Sequence, residues 1–157
     1  MFWGETELAS MQHRKPVAHT SNSSGKWHDL QEHLEGVAGK AKVYAEKFGA
    51  GELGYYAGLW HDLGKYNPDF QSYLDQCALA PIDTTGLRSV PHTIYGSRLA
   101  WEVLMPLAPI IYGHHGGLPE TQGMKSKLLD DPQLDIPKGD ESGLSVFEPT
   151  STYYQPQ

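Results

Sequence analysis

A chain of 157 residues predicts one domain with a hydrophobic core, or a fragment of a slightly larger domain. Its hydrophobic fraction of 39% predicts a folded body, and its single cysteine excludes both an internal disulfide and a thiolate zinc cluster. The net charge of -7 argues against non-specific binding to nucleic acid, which depends on basic residues, unless bound metal supplies positive charge.

The start of the chain carries charged residues and no apolar core, so no signal peptide is predicted. No apolar stretch approaches the length of a membrane span. The lone Cys77 also fits a reducing compartment. We therefore expect a soluble, cytoplasmic protein that has no membrane partner.

The first half of the chain predicts three helices after an irregular segment, residues 1–27. Apolar residues at helical spacing, followed by glycines, predict a helix over residues 28–48. A second helix, residues 52–63, is apolar on nearly every side, which is typical of a helix in the middle of a bundle. A third helix begins at Asn67-Pro68, because proline suits the first turn.

In the second half, residues 80–91 are predicted to form a loop and residues 93–104 an amphipathic helix. A short apolar segment, residues 107–112, leads into a pair of histidines. Prolines, glycines and acidic residues dominate residues 121–157, which are predicted to be loosely ordered or an incomplete segment. Because no stretch shows the sustained alternation of a strand, the predicted fold class is all-α.

His61-Asp62 lies at the end of the apolar second helix and is the centre of the predicted chemistry. An isolated His-Asp pair is more often a helix cap or a surface ion pair. Here the neighbours of Asp62 are apolar, and a carboxylate buried among them needs a cation or strong hydrogen-bond donors. Adjacent imidazole and carboxylate ligands suit a first-row transition ion.

Three other segments also carry histidine at the edge of an apolar element. His33 lies on the inward face of the first helix, where a hydrogen-bonded core histidine is the alternative. His92 precedes the fourth helix, where the alternative is a solvated loop residue. His114 and His115 stand between glycines, where neither ring packs well. Histidines delivered by four separate segments predict a shared metal pocket better than they predict core packing.

Lys65 follows Asp62 by three residues, at the predicted mouth of this pocket, and could meet a phosphate oxygen as a point charge. An ordinary solvated lysine is the alternative. The remaining histidines, His13, His19 and His28, lie in no comparable pattern and are interpreted as surface or structural residues. The sequence contains no P-loop, dinucleotide fingerprint or nucleophile elbow.

Five segments of the chain match the pattern of one known family. In chain order they are Glu32–Ala38, Gly58–Lys65, Pro68–Gln71, His92 and Gly113–Pro119. Together they resemble the HD nuclease domain of type I CRISPR systems, over about residues 15–120. The resemblance implies an all-α HD-domain helical bundle, with residues 1–120 as the nuclease domain.

The resemblance further implies a metal-dependent endonuclease or exonuclease that cuts single-stranded DNA in antiviral interference. One divalent transition-metal ion would be held by His33, His61 and Asp62. A second ion, bridged to the first by Asp62, would be held by His92, His114 and His115. The metals implied are manganese, cobalt, nickel or iron, with magnesium also possible. Lys65 would contact the scissile phosphate, so Asp62 and Lys65 are the predicted catalytic residues.

The partners implied by the resemblance are a superfamily 2 helicase, fused or separate, and a crRNA-guided surveillance complex. These partners would deliver the DNA strand to an acidic chain. Family members carry a further aspartate, in a stretch that reads like Ser-x-Leu-x-Asp-x-Asp, which is not found here. The chain is therefore interpreted as truncated at its C-terminus. Two alternatives stay open: an HD-type phosphohydrolase of small nucleotides, and an inactive HD-fold fragment that serves as an interaction module.

Overall fold

Helices make up most of this computed structural model, which describes residues 15–21, 23–79 and 90–129. Six α-helices in these ranges are α1 (Leu30–Glu46), α2 (Gly51–Trp60), α3 (Pro68–Leu79), α4 (Thr93–Val103), α5 (Ala108–Tyr112) and α6 (Thr121–Leu129). Two 3₁₀ turns, Leu63–Tyr66 and Met105–Leu107, lie between helices. The predicted all-α class is confirmed. No helix among these residues is both long and apolar enough to span a membrane.

A two-stranded antiparallel sheet precedes the helices and was not predicted. It pairs β1 (Val17–His19) with β2 (His28–Asp29), and its register places His19 opposite His28. Strands of two and three residues are too short to show a period of two in the sequence. The expected irregular segment, residues 1–27, therefore contains β1, and β2 takes the first two residues of the predicted first helix.

The ends of the first two helices differ from the prediction for local reasons. Helix α1 begins at Leu30 because Asp29 is its N-cap, and the Glu32 backbone N–H donates to Asp29 Oδ1 at 3.0 Å. Helix α2 ends at Trp60, and the chain then tightens into a 3₁₀ turn in which the Lys65 backbone N–H donates to the Asp62 carbonyl. His61 and Asp62 thus lie at a bend between two helical elements.

The main hydrophobic core lies between α1, α2, α4, α5 and α6. It contains Leu30, Leu34, Trp60, Ile111 and Leu128, all with 1% or less of their surface exposed. Helix α4 crosses α2 at Gly96, where a Cβ would overlap the Trp60 carbonyl oxygen. This close approach brings the start of α4 beside the end of α2, where Asp62 lies.

Residues 121–129 form α6, so the expectation of a loosely ordered segment does not hold for them. Met124 and Leu128 are buried in the main core, one helical turn apart. Glu120 caps the helix, since its carboxylate accepts hydrogen bonds from the backbone N–H groups of Gln122 and Gly123. The polar composition of the whole segment obscured this short amphipathic helix. Residues 130–157 and most of the predicted loop, residues 80–89, lie outside the described ranges.

Candidate metal centre

Asp62 is the centre of the site, with only 3% of its surface exposed. Five elements bring polar side chains to its carboxylate. They are α1 with His33, the end of α2 with His61, the following 3₁₀ turn with Lys65, the start of α4 with His92, and the end of α5 with His114. All six predicted metal ligands and the predicted lysine therefore come together, because His115 lies beside His92.

The Oδ2 atom of Asp62 faces one group of partners. The Nε2 atom of His61 lies 3.1 Å from it, and the Nε2 atom of His33 lies 3.4 Å from it. The Nζ atom of Lys65 lies 2.8 Å from the same oxygen. The ligand atoms of His33, His61 and Asp62 all lie within 4.8 Å of one another.

The Oδ1 atom of Asp62 faces a different group. The Nε2 atoms of His92 and His114 lie 3.3 Å and 3.5 Å from it. The Nε2 atom of His115 lies 2.9 Å from the Nε2 atom of His92. These three imidazoles and Asp62 also have ligand atoms within 4.8 Å of one another. The two oxygens of one carboxylate thus separate the histidines into two sets.

Two of the imidazoles are held by backbone carbonyl groups. The Nδ1 atom of His61 lies 2.7 Å from the Gly58 carbonyl oxygen, and the Nδ1 atom of His114 lies 2.6 Å from that of Ile111. A neutral imidazole that donates its proton from Nδ1 keeps a lone pair on Nε2. For both residues that lone pair then faces a carboxylate oxygen, an arrangement that a cation between the two atoms would stabilise.

Two buried atoms of the site also lack a hydrogen-bond partner within the described part of the chain. They are His33 Nε2 and Asp62 Oδ1. Burying such atoms without a partner costs on the order of 1–3 kcal/mol each. Both atoms are ordinary ligands for first-row transition ions. The donor set therefore fits a metal centre better than it fits a hydrogen-bonded network.

Asp62, His33 and His115 have the protonation states that metal binding requires, whereas the hydrogen bond to Asp62 raises the pKa of His114. Burial would raise the pKa of Asp62, but contacts with His114, His61 and His92 outweigh it and hold this pKa well below its ordinary value. Burial and the neighbouring His61 lower the pKa of His33 to about 4. Burial and neighbouring histidines also lower the pKa of His115. At neutral pH the carboxylate is ionised and these two imidazoles are neutral, as metal ligands must be.

Comparison with known families bears on the same residues. The family described as the HD domain of Cas3 matches residues 18–136, which is more than half of the chain. The chain belongs to this family. A search of curated proteins finds no match.

Membership in the Cas3 HD family confirms the resemblance and makes the chain a metal-dependent hydrolase by class. The match extends beyond the predicted core, about residues 15–120, and includes all of α6. The histidine and aspartate cluster supplies residues able to bind the metal of such a domain. The roles of the individual residues as ligands stay predictions.

Lys65 of this Cas3 HD domain lies deeper than the sequence predicted. It is 5% exposed, so it is neither a solvated lysine nor a residue at the mouth of the pocket. Its ammonium group also donates a hydrogen bond to the Ala18 carbonyl oxygen at 3.1 Å. Lys65 therefore connects the site to β1 and balances the charge of Asp62.

Close packing behind the site positions its second set of histidines. A Cβ at Gly64 would overlap the His92 carbonyl group, so only glycine permits this approach. The Gln71 amide accepts from the Val17 backbone N–H, and donates to the carbonyl oxygens of Val17 and Lys65. These hydrogen bonds hold β1, the 3₁₀ turn Leu63–Tyr66 and α3 together behind the site.

Sequence reasoning missed two histidines near the site. His19 and His28 were interpreted as surface or structural residues, yet their rings lie beside His33. The turn-rich run Thr20–Gly25 between them could have indicated a hairpin that pairs the flanking residues. His13 lies outside the described residues.

Proposed function

We propose that this chain hydrolyses phosphodiester bonds of single-stranded DNA in CRISPR interference, using two divalent cations that share Asp62. The observation that supports the proposal is the position of this carboxylate, whose two oxygens each face a separate set of imidazoles. A bridging carboxylate of this kind is typical of two-metal centres that cut phosphodiesters.

The proposed ligand sets follow from these distances. Site I is His33, His61 and Asp62, and site II is Asp62, His92, His114 and His115. The predominance of imidazole favours manganese, iron, cobalt or nickel over magnesium, which prefers oxygen ligands. When bound, the cations supply positive charge at the phosphate oxygens and lower the pKa of water at the site.

The protein itself contributes orientation and charge. Carbonyl groups fix the rings of His61 and His114, so that their Nε2 atoms need no reorganisation to bind metal. Cations at Asp62 would compete with Lys65 for Oδ2, which the ammonium group now contacts at 2.8 Å. Displaced from this oxygen, Lys65 could donate to a non-bridging oxygen of the scissile phosphate.

An extended strand fits the exposed side of the site. His114 and His115 are exposed, as are the following Gly116 and Leu118. A small-nucleotide hydrolase would instead need an enclosed pocket with groups that bind base and ribose. Because the chain is acidic, we propose that a superfamily 2 helicase and a crRNA-guided complex in the cytoplasm bring the strand to it.

The test is hydrolysis of a labelled single-stranded DNA by the 157-residue chain with Mn²⁺, Co²⁺ or Ni²⁺. We expect cleavage that EDTA abolishes and that Asp62→Asn removes. Asp69→Asn, which changes an exposed carboxylate in the first turn of α3, should cut at the parent rate. Hydrolysis of mononucleotides without strand cleavage would instead favour the small-nucleotide alternative. Metal binding too weak to measure by calorimetry would favour the interaction module.

A further inference from the structure

A second group of imidazoles lies at the edge of the candidate centre, and we call His19, His28 and His33 the outer triad. The register of the hairpin pairs His19 with His28, and their ring centroids are 6.3 Å apart. The His33 ring lies 5.2 Å from the first and 5.3 Å from the second, nearly perpendicular to both. Ligand nitrogens of all three residues lie within 4.8 Å of one another.

The backbone holds this arrangement in place. Asp29 caps α1 directly after His28, and the Leu30 backbone N–H donates to the Pro16 carbonyl oxygen at 2.9 Å, which joins the helix to the residue before β1. The His33 Nε2 atom is buried and has no hydrogen-bond partner in the described ranges.

We propose that the outer triad binds a third divalent cation, of the zinc, nickel or cobalt class. Three imidazoles form a site of the kind that zinc occupies with water as its fourth ligand. The exposure of His19 and His28 leaves that position open to solvent. The described triad offers no carboxylate, so magnesium and calcium are poor candidates.

The triad shares His33 with site I, and this sharing has a consequence for the proposed function. A neutral imidazole carries one nitrogen lone pair, so His33 serves one cation at a time. Its Nε2 atom lies 3.4 Å from Asp62 Oδ2, on the site I side. A cation in the outer triad therefore takes His33 from site I, leaves the site I cation on His61 and Asp62 alone, and inhibits hydrolysis. This second statement rests on the proposed function, whereas binding at the triad does not.

Zinc binding tests the triad independently of catalysis. Calorimetry of the full chain with Zn²⁺ should show one more equivalent for the parent than for His28→Ala, and His19→Ala should repeat the loss. Gln76→Ala, which changes an exposed side chain of α3, is the control and should bind like the parent. Equal stoichiometry in the parent, His28→Ala and His19→Ala would overturn the proposal.

Asp62→Asn separates this inference from the proposed function. It removes the carboxylate common to sites I and II but leaves the three imidazoles of site II, so the zinc of the triad is the equivalent that Asp62→Asn binds and Asp62→Asn/His28→Ala does not. Absence of that zinc contradicts the triad whatever the DNA assay shows. If the zinc of the triad is present but the parent cuts no DNA, the triad stands and the proposed function fails.

Inhibition is measured separately, by adding Zn²⁺ to cleavage assays that contain saturating Mn²⁺. We expect the parent to be inhibited at concentrations about tenfold lower than His28→Ala, which corresponds to about 1.4 kcal/mol of binding free energy. Identical inhibition curves would overturn the exchange of His33 between the two sites.

Discussion

Asp62 and Lys65 form a buried ion pair, in which the ammonium nitrogen lies 2.8 Å from Oδ2. Only 3% of the aspartate and 5% of the lysine are exposed. The Lys65 ammonium group compensates the negative charge at Asp62 Oδ2. The other oxygen, Oδ1, has no hydrogen-bond partner in the described structure. The metal-free domain therefore has a folded, partly neutralised site, and removing either charge affects stability as well as chemistry.

Asp62→Ala is expected to lower the free energy of unfolding of the metal-free protein by about 3 kcal/mol, because it leaves Lys65 charged and buried. Urea denaturation in EDTA measures this change. The double variant Asp62→Ala/Lys65→Met removes both charges and should be more stable than the single variant. Equal stability of the two would show that the pair makes no net contribution. Far-UV circular dichroism should retain most of the helical signal in both.

Lys65→Met is expected to slow DNA cleavage about 100-fold, because it removes a cation from the proposed phosphate site. The metal content at saturating metal, measured by elemental analysis, should stay at the parent value since lysine is not a ligand. Lys42→Met is the control, as Lys42 forms an exposed ion pair with Glu52 far from the proposed chemistry. A parent rate for Lys65→Met would leave Lys65 with its structural role alone.

Gly64→Ala is expected to weaken the second metal site selectively. The added Cβ would overlap the His92 carbonyl group and push the start of α4 away from Asp62. Titration with Mn²⁺ should then show weaker binding at one site, while the site of His33 and His61 is retained. Gly39→Ala is the matched control, because a Cβ there meets nothing within 4 Å. It should stabilise α1 by about 0.5–1 kcal/mol and leave metal binding unchanged.

The stability of the metal-free protein is expected to fall as the pH is lowered from 6.5 to about 4. In this window the unfolded chain takes up a proton at His33. In the folded protein burial lowers the pKa of His33 to about 4, so the imidazole stays neutral. The shifted pKa of His33 costs no stability above pH 6.5, and the loss of stability grows as the pH falls toward 4. His33→Gln should lack this loss in denaturation experiments across the same pH range. A parent and variant that differ by a constant amount would contradict the assigned pKa shift.

Local patterns predicted the elements of this domain because helix periodicity, capping residues and glycine stops act over a few residues. The helices that carry His33, His61 and His92 were predicted within three residues of their observed ends. The residues able to bind metal were also evident from the sequence, because a carboxylate among apolar neighbours, such as Asp62, requires a cation or hydrogen-bond donors once it is buried. Family membership then confirmed the resemblance drawn from the ordered motifs.

Local sequence patterns did not predict two short elements whose stability depends on contacts with residues distant in the sequence. The hairpin of β1 and β2 is stabilised by Gln71 and Lys65, which lie far along the chain from it. Helix α6 has only two buried side chains, too few to stand out in a polar segment. Neither feature has a period long enough to be recognised without its packing partners.

The sequence by itself determined the helical class, the residues able to bind metal and the family pattern, because each depends on residue chemistry and short-range spacing. Only the tertiary structure decided which oxygen of Asp62 faces each imidazole, how deeply Lys65 is buried, and that His19 and His28 lie beside His33. These are distances between separate elements. They are set by how the helices pack against one another, as at Gly96 and Gly64, and no local pattern records them.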